Sequence, residues 1–135
     1  MLTPGDRARY QRHLALAEIG EAGQEKLRAA RVLIVGAGGL GSPAALYLAA
    51  SGVGTLGLAD GDTVELTNLQ RQILFSTTDI GRGKTAAAAE RLSALDPALE
   101  LRQHPVALTT ANVQEVIGAY DIVLDGTDRV STRYL

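Results

Sequence analysis

Val32-Leu33-Ile34-Val35-Gly36-Ala37-Gly38-Gly39-Leu40-Gly41-Ser42 is the stretch that decides the fold. Its four apolar residues, mostly β-branched, suit a short strand covered on both faces, as in a parallel sheet. Gly36 ends the run. The spacing Gly36-x-Gly38-x-x-Gly41 then leads into Ala44, Ala45, Leu46, Leu48 and Ala49, an Ala/Leu-rich helix closed by Gly52. A strand, a glycine turn and a helix in that order are the context that makes this spacing a phosphate-binding signal. Gly36 permits the tight turn, Gly38 and Gly39 let the backbone approach a ligand, and Gly41 lets helix and strand pack closely. The helix N-terminus offers free N–H groups and partial positive charge to a phosphate. NAD, FAD and ATP all suit such a turn.

Downstream, Thr55–Ala59 reads as a second strand ending at Asp60. Asp60 stands about 20 residues beyond the turn, where an acid commonly accepts hydrogen bonds from ribose hydroxyls. Its place directly after the apolar strand favours it over Asp62. Residues 61–79 are mostly polar and irregular. Lys84–Leu95, with its alanine run, is a strong helix stopped by Asp96-Pro97. Residues 99–106 read as a third strand broken by Pro105, residues 110–117 as a short helix stopped by Gly118, and Ile122-Val123-Leu124 as a fourth strand. Alternating strands and helices predict an α/β fold, a Rossmann-like and mostly parallel sheet with flanking helices.

Upstream, residues 1–30 read as helical, with Pro4 near a helix start and Gly20 as an interruption. The expected organisation is an N-terminal helical arm over residues 1–30 and a Rossmann-like domain over residues 31–135. The chain is expected to be truncated, because residues 130–135 read as the opening of a further element.

Of the 135 residues, 46% are hydrophobic and 21% charged, enough for one core with a solvated surface. The net charge of -2 gives no basis for bulk electrostatic attraction to nucleic acid or an anionic membrane, so neither is expected as a partner. No apolar run approaches the ~20 residues of a membrane-spanning helix, and the polar start lacks the apolar core of a signal peptide. A cytoplasmic location is the expectation. There is no cysteine, so these residues supply no disulfide, thiolate metal site or cysteine nucleophile.

A domain that only binds dinucleotide needs no cluster of Asn, Gln and Arg after its second strand. This chain has Asn68, Gln70, Arg71 and Gln72 there, and Lys84 opens the next helix. Cations converging on a helix-bound phosphate suit a triphosphate, whose leaving pyrophosphate gains charge as the bond breaks.

Arg9-Tyr10-Gln11-Arg12-His13, the glycine turn, Asp60, Asn68-Leu69-Gln70-Arg71-Gln72, Asp79-Ile80-Gly81 with Lys84, Asp125-Gly126-Thr127-Asp128 and Thr132-Arg133-Tyr134-Leu135 run in one order across the chain. In that order they resemble the ThiF/MoeB/HesA family, relatives of the ubiquitin-activating enzymes. The resemblance is nearer to the molybdopterin-synthase adenylyltransferase type, with the thiamine-pathway type close behind.

The resemblance implies an adenylyltransferase. Its reaction is the ATP-dependent adenylation of the C-terminal glycine of a ubiquitin-like sulfur-carrier protein, for molybdopterin- or thiamine-type sulfur incorporation. Gly36, Gly38, Gly39 and Gly41 would border the nucleotide and Asp60 would hold the ribose. Asn68, Gln70, Arg71, Lys84 and Arg129 would contact the nucleotide. Asp128 would hold Mg²⁺, and Arg12 would reach into the site of the other subunit of a homodimer. Arg71, Lys84, Asp128 and Arg12 are the implied catalytic residues. A sulfurtransferase is a further implied partner, and a structural Zn²⁺ would belong to sequence beyond Leu135. Two departures stand out: Gly126 and Arg129 occupy positions where the family usually has Cys and Asn. Two other readings stay open, an NAD(P)-binding domain of an oxidoreductase and a non-catalytic carrier-binding subunit.

Overall fold

The computed structural model describes residues 1–128 and 130–135. Three short helices come first: α1 (Pro4–Arg9), α2 (Gln11–Leu14) and α3 (Gly20–Ala29). The alternating part follows as β1 (Arg31–Val35), α4 (Gly41–Ser51), β2 (Thr55–Ala59), α5 (Lys84–Leu95), β3 (Glu100–His104), α6 (Val113–Ile117), β4 (Ile122–Asp125) and α7 (Val130–Arg133). Two single-turn 3₁₀ segments, Leu66–Asn68 and Thr77–Asp79, punctuate the long β2–α5 connection.

The four strands form one parallel sheet in the order β3-β2-β1-β4. β1 behaves as its apolar run requires. Val32 and Ile34 face one layer, with Leu56, Leu58, Ala45, Ala49, Ala87, Ala88 and Leu92. Leu33 and Val35 face the other, with Ala59, Val116 and Tyr120. This two-residue alternation gives a strand buried on both sides. β4 is different: Ile122, Val123 and Leu124 are 51%, 44% and 37% exposed, so the outer strand is apolar but uncovered among the described residues.

Three details depart from expectation. Gly20, read as an interruption, opens α3 with a left-handed φ of 57°. The third strand is shorter than 99–106, because Val106 N–H turns back to the His104 carbonyl around Pro105. The helix expected over 110–117 begins only at Val113, since Asn112 Oδ1 takes the Thr109 N–H at 2.8 Å and holds residues 109–112 in a turn.

The N-terminal helices pack on the end of the sheet where the strands begin. Tyr10 is buried and its hydroxyl donates to Asp96 Oδ2 at 3.3 Å; Gln24 Nε2 donates to the Ser51 carbonyl at 2.9 Å. Asp96 caps the end of α5 opposite Lys84, and a helix of that length spans about 18 Å. The helical arm and the glycine turn therefore occupy opposite ends of the molecule. Among the described residues, no helix is long and apolar enough to cross a membrane.

Candidate nucleotide-binding cleft

Consecutive strands run outward from β1 to β3, and the chain then returns to place β4 on the other side of β1. In a doubly wound sheet, the crevice beyond the strand C-termini at such a reversal is where ligands bind. A cleft of about 680 Å³ opens there. That is within the roughly 300–1,000 Å³ of small-molecule sites. The ends of β1, β2 and β4 supply its floor, and the connection containing residues 68–72 and the start of α5 supply its walls.

The floor is main chain. Gly36 has a φ of 88°, and a Cβ there would meet Thr127 Cγ2 at 2.9 Å. A Cβ on Gly41 would collide with the Gly36 carbonyl oxygen. Gly41 itself does not line the cleft; it sits beneath the turn and lets α4 close onto β1, the packing role its spacing suggested. Gly126 joins the same contact, since a Cβ on it would lie 2.9 Å from that carbonyl oxygen. The usual cysteine of the family would therefore need a backbone shift here, and glycine fits as it stands.

Asp60 links the second strand to the turn. Its Oδ2 accepts the Ala37 N–H at 2.8 Å and its Oδ1 accepts the Asp62 N–H at 2.8 Å. Each carboxylate oxygen has a further lone pair, so both remain able to accept hydroxyl donors from a ligand.

The wall residues touch the turn directly. The aliphatic part of Arg71 covers Gly39, with Cδ 3.5 Å from where a Cβ on Gly39 would stand. The Arg71 guanidinium has one long contact, Nη1 to the Thr67 carbonyl at 3.4 Å, and no carboxylate partner among the described residues. Lys84 lines the cleft at only 6% exposure and likewise forms no ion pair among the described residues. Its backbone is fixed by donation to the Asp62 carbonyl at 3.0 Å. Asn68 Oδ1 accepts the Glu65 N–H at 3.0 Å, closing the first 3₁₀ turn. Asp128 lines the cleft from the loop after β4 and is exposed. That loop is braced by Asp125, which accepts the Thr127 N–H at 3.0 Å and its hydroxyl at 2.7 Å.

The structure thus gathers Gly36, Gly38, Gly39, Asp60, Asn68, Arg71, Lys84 and Asp128 around one cavity. Gln70 is exposed and lies outside the lining, whereas Gln72, two residues on, is buried and within it. Arg12 is exposed on α2 and does not line this cleft. Arg129 lies outside the described residues. Gln72, Thr127 and Thr132 belong to the motifs that carry the resemblance and line the cleft without an implied role. Arg133, on α7, also reaches the cleft and donates to the Thr127 carbonyl at 2.9 Å.

Chemically, the cleft combines a main-chain floor with a left-handed glycine, a buried lysine and an arginine lacking acidic partners among the described residues, and carboxylates at two edges. Cations held near free N–H groups without counter-charges suit an anionic ligand.

Known proteins resemble this chain in sequence and in fold. The probable adenylyltransferase/sulfurtransferase MoeZ of Mycobacterium tuberculosis is 48% identical over 128 residues, 95% of this chain and 33% of its own. The sulfur carrier protein adenylyltransferase of Thermus thermophilus is 46% identical over 127 residues, 94% of this chain and 47% of its own. The chain thus spans a third to about half of these relatives. The Escherichia coli tRNA N6-threonylcarbamoyladenosine dehydratase TcdA, solved in complex with ATP, superposes with a TM-score of 0.92 at 30% identity, covering 98% of this chain and 54% of that one. Residues 10–135 match the ThiF family description, so this chain belongs to the ThiF family.

Proposed function

We propose that this chain is the nucleotide-binding part of an enzyme that adenylates the C-terminal glycine of a ubiquitin-like sulfur-carrier protein. The observation that carries the reading is the convergence of Arg71 and Lys84, both without acidic partners among the described residues, on the glycine turn. In this reading residues 31–135 form the ATP-binding domain and residues 1–30 the arm.

ATP lies with its phosphates on Gly38 and Gly39 and its ribose hydroxyls on Asp60. A carboxylate oxygen of the carrier's terminal glycine forms a bond to the α-phosphorus. The bond from that phosphorus to the oxygen bridging to the β-phosphate breaks, and pyrophosphate leaves with the electron pair. Arg71, Lys84 and the Asn68 amide stabilise the charge that grows on the leaving group. Holding both reactants in line supplies much of the acceleration, so no side-chain nucleophile is required. That suits a chain without cysteine.

The donor set fits Mg²⁺, which keeps several waters and needs only one or two carboxylates besides the phosphates. Asp128 is the carboxylate that would hold it, and the ion would add charge neutralisation at the phosphates. Among the described residues there is no cluster of three or more acidic, His or Cys ligands, and a site of this kind needs none. Arg12 acts in trans, from one copy of a homodimer into the other's cleft. Relatives named as an adenylyltransferase/sulfurtransferase and a sulfur carrier protein adenylyltransferase support a sulfur-transfer context; in this reading molybdopterin- or thiamine-type incorporation is the destination and a sulfurtransferase the next partner.

The test is calorimetry with MgATP and with NADH, followed by carrier-dependent exchange of labelled pyrophosphate into ATP. MgATP preference with exchange is expected. NADH preference returns the cleft to dinucleotide binding. ATP binding without exchange for any sulfur carrier leaves a carrier-binding subunit with no catalytic role.

A further inference from the structure

Gln72 is 3% exposed, yet it lines the cleft. Its backbone is held in the turn, the N–H donating to the Asn68 carbonyl at 2.9 Å and the carbonyl accepting from Phe75 N–H at 3.2 Å. Its carboxamide makes no hydrogen bond among the described residues. Oε1 is buried with no hydrogen-bond partner, the single buried side-chain polar atom so placed among the described residues. Nε2 faces the glycine turn, 3.9 Å from where a Cβ on Gly38 would stand.

A buried amide with an unmatched acceptor destabilises a fold, and an apolar residue of the same shape removes that penalty. Native structures keep few such groups, and they concentrate at functional sites. The neighbouring side chains explain the direction. Arg71 covers Gly39 and Gln72 covers Gly38, so the two adjacent residues flank the two glycines where main chain is open to a ligand. A phosphate lying on that main chain comes within reach of Nε2.

We propose that Gln72 is a ligand-contacting residue: its Nε2–H donates to a phosphate oxygen of the nucleotide on the glycine turn, and the fold carries an unsatisfied Oε1 to keep that donor in place. This deepens the nucleotide-binding reading above and rests on it. The residue fixes where the phosphate sits between the Arg71 side chain and the turn. It contributes geometry that a flexible cation does not, because its amide is held by burial.

Two variants of the full-length protein separate this role from a structural one. Gln72→Met keeps an unbranched side chain of similar length and removes the hydrogen-bonding groups. Gln72→Glu keeps the shape and replaces the donor by negative charge. Binding of MgATP is measured by calorimetry, and thermal unfolding is measured without nucleotide. Expected are at least tenfold weaker MgATP binding for Gln72→Met, a larger loss for Gln72→Glu, and an unliganded melting temperature for Gln72→Met equal to or above that of the wild type.

The inference is overturned if Gln72→Met binds MgATP within twofold of a wild type that itself binds. It is also overturned if Gln72→Glu binds as tightly as wild type, which would make the amide an acceptor. A melting temperature several degrees lower for unliganded Gln72→Met would make the residue a structural one. A wild type that binds no MgATP at all would sink the nucleotide reading and this inference together, a result distinct from each of these.

Discussion

The Asp60 carboxylate accepts the Ala37 N–H at 2.8 Å, tying the end of β2 to the first residue after the left-handed Gly36. An acid at this place is usually discussed only for its ribose contact. Here it also holds the phosphate turn in shape before any ligand arrives. Asp60→Ala should therefore destabilise the unliganded protein by roughly 1–3 kcal/mol, because the Ala37 donor loses its partner. Hydrogen exchange at the Ala37 amide, read by NMR, should accelerate in the variant. Unchanged protection would mean the contact has no hold on the turn.

Gly41 presents a second test of the floor. A Cβ at this position collides with the Gly36 carbonyl oxygen, a backbone atom with no freedom to swing aside. Gly41→Ala should cost about 1–3 kcal/mol or more in denaturant unfolding, as overpacking does. Gly5→Ala, inside α1 where the nearest atom to a new Cβ is Thr3 Oγ1 at 3.7 Å, is the matched control and should be neutral or slightly stabilising.

The cations make a kinetic prediction. Arg71→Ala should lower carrier-dependent pyrophosphate exchange at least tenfold, about 1.4 kcal/mol of transition-state stabilisation. Arg102, on β3 with its guanidinium 5.9 Å from the Tyr120 ring centroid, does not line the cleft. Arg102→Ala should leave exchange within about twofold. Equal rates in the two variants would remove Arg71 from the mechanism.

A pH effect on stability follows from His104. Its Nε2 shares a 2.6 Å hydrogen bond with the Tyr120 hydroxyl, and burial, with Arg102 nearby, lowers its pKa from the ordinary 6.5. A group whose folded pKa is depressed contributes stability above the unfolded value and loses it as pH falls through the folded one. Below pH 6.5 the unfolded chain binds a proton that the folded chain resists. The melting temperature should fall as pH drops through that window, and His104→Gln should flatten the slope. A wild-type profile no steeper than that of the variant would contradict it.

Much of this architecture is legible in the residues. β1, β2 and α5 begin and end where their apolar runs, Gly36, Asp60, Lys84 and Asp96 place them, because each is bounded by a residue with strong backbone preferences. Edges set by tertiary contacts are less visible. Asn112 delays α6 through a side-chain bond to Thr109, and the sequence alone does not reveal which donor that oxygen will take. The same limit explains the pentapeptide. Asn68-Leu69-Gln70-Arg71-Gln72 marks the site, but the 3₁₀ turn over Leu66–Asn68 decides that Gln70 faces solvent while Gln72 is buried beside Gly38. Chemical type is written in the chain; the direction of each side chain out of an irregular connection is not.

The close approach of Gly36, Gly41 and Gly126 constrains how this protein can change. Where the three backbones meet, there is no side chain to exchange and no room to add one without moving the main chain. Mutation can therefore retune ligand preference only from the rim, through Arg71, Gln72, Lys84 and Asp128. In this chain the floor is a fixed socket of main chain, and a change of ligand preference has to be written in the walls around it.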